Sequence, residues 1–199
     1  MRILITGGGG FLGSQLAQKL LIRGTLTGPS GAPEPLTEIV LLDAAFARPA
    51  PAHPTIRITQ LTGDISDRPT VFAAAGVSTS AAPATPVASI FHLASMVSGE
   101  CEQRFDDALR VNLDGGRHVF EAARAITAAT GSRPRVVFAS SIACYSGESV
   151  SPVNSDTTKL TPRTTYGMTK AICELLLNDH SRKGHFDGRT ARLPTVIIR

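Results

Sequence analysis

Apolar residues in this chain fall into short unbroken runs that alternate with segments of helical spacing. Arg2 to Thr6 is a mostly apolar run closed by glycine, and from Phe11 to Arg23 the positions Leu12, Leu16, Leu20 and Leu21 recur at helical intervals. That pattern predicts strand, tight turn, helix. Gly24 to Thr37 contains three glycines and three prolines and reads as a surface loop. A second strand follows at Ile39 to Leu42, ending at Asp43, and a third at Ile56 to Leu61, with Gly63-Asp64-Ile65 just beyond it. Arg68 to Ala75 is predicted helical, and the Ala/Ser/Thr/Pro stretch Val77 to Pro86 connects it to a fourth strand, Ser89 to Ala94. Glu102 to Thr130 is the longest helical pattern. Arg135 to Ala139 reads as the fifth strand, Tyr166 to Asp179 as a helix and Thr195 to Ile198 as the sixth strand. Strands that alternate with helices imply an α/β fold with a doubly wound parallel sheet of the Rossmann type, and no internal repeat exceeds this alternation.

The totals narrow the reading. A chain of 199 residues with 42% hydrophobic content can bury one sizeable core, so one domain is expected over residues 1–199. Its 20 basic and 16 acidic residues leave a net charge of +4, but the basic residues are scattered. Backbone binding needs a concentrated basic stripe, so no nucleic-acid partner is expected. Cys101, Cys144 and Cys173 form neither a C-x-x-C pair nor a zinc spacing, which fits a reducing cytoplasm. Ile3-Leu4-Ile5 is too short for a signal sequence or a membrane span, so no membrane association is expected.

Several residues carry chemistry. Thr6-Gly7-Gly8-Gly9-Gly10-Phe11-Leu12-Gly13 lies between a strand and a helix, the context of a dinucleotide-binding turn. Gly7 permits the tight turn, Gly10 lets backbone N–H groups and the helix dipole approach a pyrophosphate, and Gly13 allows close helix packing. Asp43, ending the second strand, can accept both hydroxyls of an adenosine ribose and would repel a 2′-phosphate, favouring NAD over NADP. Asp64 and Ile65 are placed to seat the adenine edge. Tyr166 and Lys170 stand at i and i+4 on one helix face, where the ammonium favours the phenolate and lowers the phenol pKa. Such a tyrosine can remove a hydroxyl proton as hydride leaves the same carbon. Ser141, at the end of the fifth strand, is the candidate for holding the substrate oxygen, with Ser140 as a structural neighbour. Asn112 offers a buried amide to fix backbone or a water near the tyrosine. His92 has no second ligand at metal spacing and reads as a satisfied strand-end histidine, so no metal is expected. Cys144 and Tyr145 are expected to pack rather than react. Each motif has a plain alternative: a glycine turn without ligand, a turn aspartate, a chance Y-x-x-x-K. Their order along the chain favours the chemistry.

Together these residues resemble the extended short-chain dehydrogenase/reductase family, also called the NAD-dependent epimerase/dehydratase family, over essentially the whole chain. Thr6 to Gly13 is similar to its T-G-x-x-G-x-x-G, His92-Leu93-Ala94 to its fourth-strand motif, Ser140 to Tyr145 to its fifth-strand serine region, and Tyr166 to Lys170 to its Y-x-x-x-K. The resemblance implies NAD as cofactor, with Gly7, Gly10, Phe11, Leu12, Gly13, Asp43, Asp64, Ile65, Leu93, Ala94, Asn112, Tyr166 and Lys170 around it. It implies a catalytic set of Ser141 to orient the substrate hydroxyl, Tyr166 to deprotonate it and Lys170 to bind the nicotinamide ribose. Leu93 to Glu100, Arg110 to Gly116 and Arg192 to Thr195 look most like a branch that oxidises a small sugar acid at C2. An NDP-sugar epimerase or dehydratase using a transient oxidation is the alternative, and a non-catalytic NAD-binding protein another, against which Tyr166 and Lys170 argue. The family serine is usually followed by Tyr-Gly, where this chain has Tyr145-Ser146-Gly147. The resemblance further implies a homodimer packed through the helices after Asn112 and at Tyr166, and a substrate domain lying largely beyond Arg199.

Overall fold

The apolar runs are strands, and those of the main sheet all run parallel. The structure, a computed structural model, describes residues 1–77, 85–147, 155 and 157–191. In chain order the elements are β1 (Arg2–Thr6), α1 (Phe11–Arg23), β2 (Thr25–Thr27), β3 (Pro33–Pro35), β4 (Glu38–Asp43), β5 (Arg57–Thr62), α2 (Arg68–Ala75) and β6 (Ser89–His92). There follow α3 (Ser98–Gln103), α4 (Phe105–Ala108), a π-helical turn (Leu109–Asp114), α5 (Gly115–Thr130), β7 (Arg135–Ala139), a 3-10 turn (Ile142–Tyr145), α6 (Thr165–Arg182) and β8 (Asp187–Ala191). The six-stranded sheet has the order β5-β4-β1-β6-β7-β8. The direction of winding reverses between β1 and β6, and ligands of such sheets bind at the carboxyl ends of the strands at this reversal.

Alternate residues of a strand face opposite sides, so one apolar run supplies two cores. Leu4, Val40, Leu42, Ile90 and Phe138 pack against Val119, Phe120 and Ala123 of α5 and Leu177 of α6. Ile3, Ile5, Ile39 and Leu41 point the other way, onto Ala17, Leu20 and Leu21 of α1. The predicted Rossmann arrangement is therefore the observed one. No described helix is long and apolar enough to cross a membrane.

Two expectations need correction, and one strand is found that the pattern did not predict. Gly24–Thr37 is not wholly loop: Thr25–Thr27 and Pro33–Pro35 pair as an antiparallel ladder. Prolines obscured it, although they are tolerated in a ladder this short and at its edge. The long helix predicted over Glu102–Thr130 is interrupted at Arg104, whose φ of −129° and ψ of 66° leave the helical region, and again by the π-helical turn before α5. Periodicity alone does not register the widened turn. The sixth strand is Asp187–Ala191, while the predicted Thr195–Ile198 lies outside the described residues. Its sequence, Asp-Gly-Arg-Thr-Ala, is too polar for the apolar-run rule, and among the described residues it ends the strand order.

At the opposite end of the sheet from the strand C-termini, Glu38 is nearly buried. Its carboxylate takes Arg2 Nε at 3.0 Å, Arg57 Nη2 at 2.7 Å and Thr59 Oγ1 at 2.7 Å, tying β1, β4 and β5 together. Burial opposes its ionisation, but the Arg57 and Thr59 hydrogen bonds and the two arginine charges outweigh it and hold the carboxyl below the usual range. The stabilisation is therefore complete above the ordinary glutamate pKa and is lost as pH falls through the depressed folded value. Glu38→Gln is expected to cost about 1–2 kcal/mol at neutral pH. In denaturant melts the variant and the parent should converge as the medium becomes acidic.

Candidate active site

The turn after β1 is built backbone against backbone. Gly7 has φ +73°, and a Cβ there would lie 2.7 Å from the Ala94 nitrogen. A Cβ on Gly13 would run into the Gly7 carbonyl, one on Gly8 would sit 2.7 Å from Leu41 Cβ, and one on Gly9 would strike the Ala45 carbonyl. The turn therefore requires Gly8 and Gly9 as well as the predicted Gly7 and Gly13. The sequence signal for them was the unbroken run of four glycines. Gly10 has more room, its nearest obstruction being the Gly7 carbonyl at 3.3 Å. It caps α1 in an extended conformation with no side-chain cap, so the N–H groups of the first turn keep their capacity for an anion. Phe11 and Leu12 stand exposed at this rim.

Thr6 fixes the turn to the strand across the reversal. Its Oγ1 lies 2.7 Å from His92 Nδ1 and accepts the Ala94 N–H at 3.3 Å, and its carbonyl accepts from Leu93 N at 3.1 Å. Leu93 and Ala94 thus lie directly beside the glycines. His92 is fully buried, and burial, helped by the Lys170 charge, pushes its pKa down to about 3, so it is neutral and structural. Among the described residues no group of three or more metal-ligating side chains occurs.

On the other side of β1 are the acidic residues expected to frame an adenosine. Asp43 Oδ2 accepts the Gly9 N–H at 2.9 Å, bringing the carboxylate onto the glycine turn. Asp64 accepts the Ser66 N–H at 2.8 Å and pairs with Arg110 at 2.6 Å. Burial works against its charge, yet the Ser66 and Arg110 contacts prevail and lower its pKa. Ile65 is turned into the core rather than outward, facing Gly115 at the start of α5.

Ser141, Tyr166 and Lys170 are brought together at the carboxyl end of β7. Ser141 caps the 3-10 turn by accepting the Ala143 N–H at 3.2 Å, and its hydroxyl is near enough to Tyr166 to favour the phenolate. Thr164 caps α6 through the Gly167 N–H at 3.0 Å, and Glu102 accepts the Thr165 N–H at 2.7 Å, so the helix start bearing Tyr166 is held on both sides. Sequence reasoning did not pick out Glu102. Lys170 is buried one turn later. Its Nζ donates to the Ala139 carbonyl at 3.0 Å and lies 5.6 Å from the Tyr166 ring centroid. Burial lowers the Lys170 pKa to about 8. The expectation that Lys170 lowers the Tyr166 pKa is not met in this arrangement. Burial raises it, the Cys101 and Cys144 thiols add to the rise, and the nearby Ser141 hydroxyl only partly offsets them.

Asn112 fixes backbone, as one of its two expected roles proposed. The π-helical turn directs it inward, where Oδ1 accepts the Met96 N–H at 2.7 Å and Nδ2 reaches the Met96 carbonyl at 3.3 Å and Thr169 Oγ1 at 3.4 Å. It thereby joins the loop after β6 to α6. Cys101, Cys144 and Cys173 are buried thiols rather than disulfides, and burial drives the Cys173 thiol up to about 12, so it packs without ionising. Asn112→Ala leaves the Met96 amide unpartnered and is expected to cost about 2 kcal/mol in chemical denaturation, with Asn112→Asp no better because it loses the amide donor.

Comparisons with known proteins agree with this fold. Residues 3–197 match the NAD dependent epimerase/dehydratase family. The D-erythronate dehydrogenase of Cupriavidus necator is 44% identical over 199 residues, all of this chain and 56% of that protein. The D-erythronate dehydrogenase of Haemophilus influenzae is 35% identical over the same 199 residues, again 56% of its length. Among solved structures, a nucleoside-diphosphate-sugar epimerase from Agrobacterium tumefaciens superposes with a TM-score of 0.83 at 41% identity, covering 100% of this chain and 54% of that one. The chain thus spans a little over half the length of these relatives.

Proposed function

The chain belongs to the NAD dependent epimerase/dehydratase family, and from that premise we propose that residues 1–199 form the cofactor-binding domain of an NAD-dependent dehydrogenase acting on a small sugar acid, D-erythronate or a close analogue. The convergence of Ser141, Tyr166 and Lys170 at the same carboxyl edge of the sheet as the glycine turn carries this reading. The residues present fit the cofactor: a turn with no room for side chains, an uncapped helix start and a carboxylate at the end of β4 suit a pyrophosphate and an adenosine ribose. Asp43 would repel a 2′-phosphate and so favours NAD. Three buried thiols fit the reducing compartment expected for it.

Bound NAD⁺ would supply the hydride acceptor. The chain's own groups manage the proton. The Ser141 hydroxyl orients the substrate oxygen, and Tyr166, in its phenolate form, takes the hydroxyl proton. A Lys170 pKa of about 8 leaves its ammonium mostly protonated at neutral pH, where it would donate to the hydroxyls of a bound nicotinamide ribose. Two of the similar proteins are named dehydrogenases and one an epimerase, so transient oxidation of a nucleotide sugar is the second reading.

Incubation with NAD⁺ and D-erythronate should release NADH, with little from NADP⁺. Inversion of a UDP-sugar without net NADH would instead make the protein an epimerase. Tyr166→Phe should lower turnover by roughly 10²–10⁴-fold while NAD⁺ binding persists, and unchanged turnover would remove the tyrosine from the mechanism. Oxidation consumes a phenolate, so its rate should rise with pH. Lys170→Met removes the expected partner of the nicotinamide ribose and should raise the KM for NAD⁺ about tenfold, read from initial rates.

A further inference from the structure

Arg110 leaves the π-helical turn and reaches the loop after β5, where Nη1 meets the Asp64 carboxylate at 2.6 Å and also the Ser66 hydroxyl. Asp64 in turn accepts the Ser66 N–H at 2.8 Å. One guanidinium therefore holds both ends of a tight turn. The turn lies at the same sheet edge as Asp43: Thr62 is in register with Asp43, and the Gly63 N–H donates to the Asp43 carbonyl at 2.9 Å. Between Asp64 and Ser66, the buried Ile65 anchors the backbone against Gly115. The root of Arg110 is equally fixed, because Asn112 two residues on is bonded to the Met96 backbone. On the outer side, Arg110 Nη2 lies 3.3 Å from Asp107 Oδ1.

The carboxylate oxygens of Asp64 each engage one donor and retain a lone pair for another. A base seated at this edge meets an acceptor whose position is dictated by Arg110. Adenine offers a donor there, its 6-amino group. Hypoxanthine offers a 6-oxo acceptor. Arg110 also balances the Asp64 charge, so the turn adds little repulsion toward an anionic dinucleotide.

We propose that Arg110 is a cofactor-positioning residue that clamps the Asp64–Ser66 turn, presents the Asp64 carboxylate to the 6-amino group of adenine, and so sets the preference of the site for an adenine dinucleotide. This rests on the NAD reading above. The Arg110 and Asp64 side chains are 48% and 46% exposed, and ion pairs that exposed contribute little to global stability. The effect of losing the clamp falls on ligand placement rather than on the fold.

Calorimetric titration of the protein with NAD⁺ and with nicotinamide hypoxanthine dinucleotide tests it. Wild type is expected to favour NAD⁺. Arg110→Met should raise the NAD⁺ Kd about tenfold and bring the two dinucleotides toward parity, with the kinetic loss in KM rather than kcat and with thermal unfolding little changed. Arg110→Lys should restore part of the preference, and Asp64→Asn should erode it as Arg110→Met does. An unchanged Kd and base preference in Arg110→Met overturns the inference, as does a fall in unfolding temperature and kcat with the Kd intact. Equal binding of both dinucleotides by wild type overturns the inference alone. Binding of neither overturns the NAD reading with it.

Discussion

Everything near the candidate site depends on how closely the chain passes itself at the end of β1. Gly7 approaches Ala94 on one side and Gly8 approaches Leu41 on the other, so three neighbouring strands deliver backbone into a space with no allowance for side chains. The Thr6 hydroxyl closes this arrangement by joining His92 and Ala94. Hydrogen bonds of this kind are individually modest, but buried and mutually dependent they fix positions to a fraction of an ångström. The helix start of α1, the Asp43 carboxylate and the Leu93-Ala94 step are all located relative to that crossing.

The fold was legible where physics writes itself locally. Ile3-Leu4-Ile5 and Ile39-Val40-Leu41-Leu42 are strands buried on both faces, and such strands must be continuously apolar. Arg68–Ala75 and Arg135–Ala139 are found with the predicted bounds. β8 escaped because Asp-Gly-Arg-Thr-Ala carries no apolar run, and the β2–β3 ladder because prolines usually mean loop. The site was legible as a set of types and spacings, and Ser141, Tyr166 and Lys170 do converge. Charge placement was not legible. An i, i+4 spacing says that Lys170 shares a face with Tyr166, but not that the Ala139 carbonyl claims its ammonium or that burial dominates the phenol. Partners distant in sequence, such as Arg110 with Asp64 and Glu102 with Thr165, leave no trace in a local window.

The π-helical turn connects these two scales. A widened turn spends an extra residue before its hydrogen bond closes, which rotates the side chains around it away from helical register. Here the rotation carries Asn112 inward to the Met96 backbone and leaves Arg110 outward, over the Asp64 turn. One local irregularity therefore touches both the loop beside Tyr166 and the loop beside the expected adenine. Gly115 and Gly116 follow at once, letting α5 settle against Ile65 and Cys173 in spaces that a Cβ would close.

The crowding of the glycine turn also affects how evolutionary persistence at these positions should be interpreted. Gly7, Gly8, Gly9 and Gly13 are demanded by neighbouring protein atoms, so a descendant that had abandoned nucleotides altogether would still be selected to keep them in order to fold. Their retention across a lineage would testify to architecture. Gly10, with more room around it and a helix start in front of it, is the position whose drift would first record the loss of a ligand.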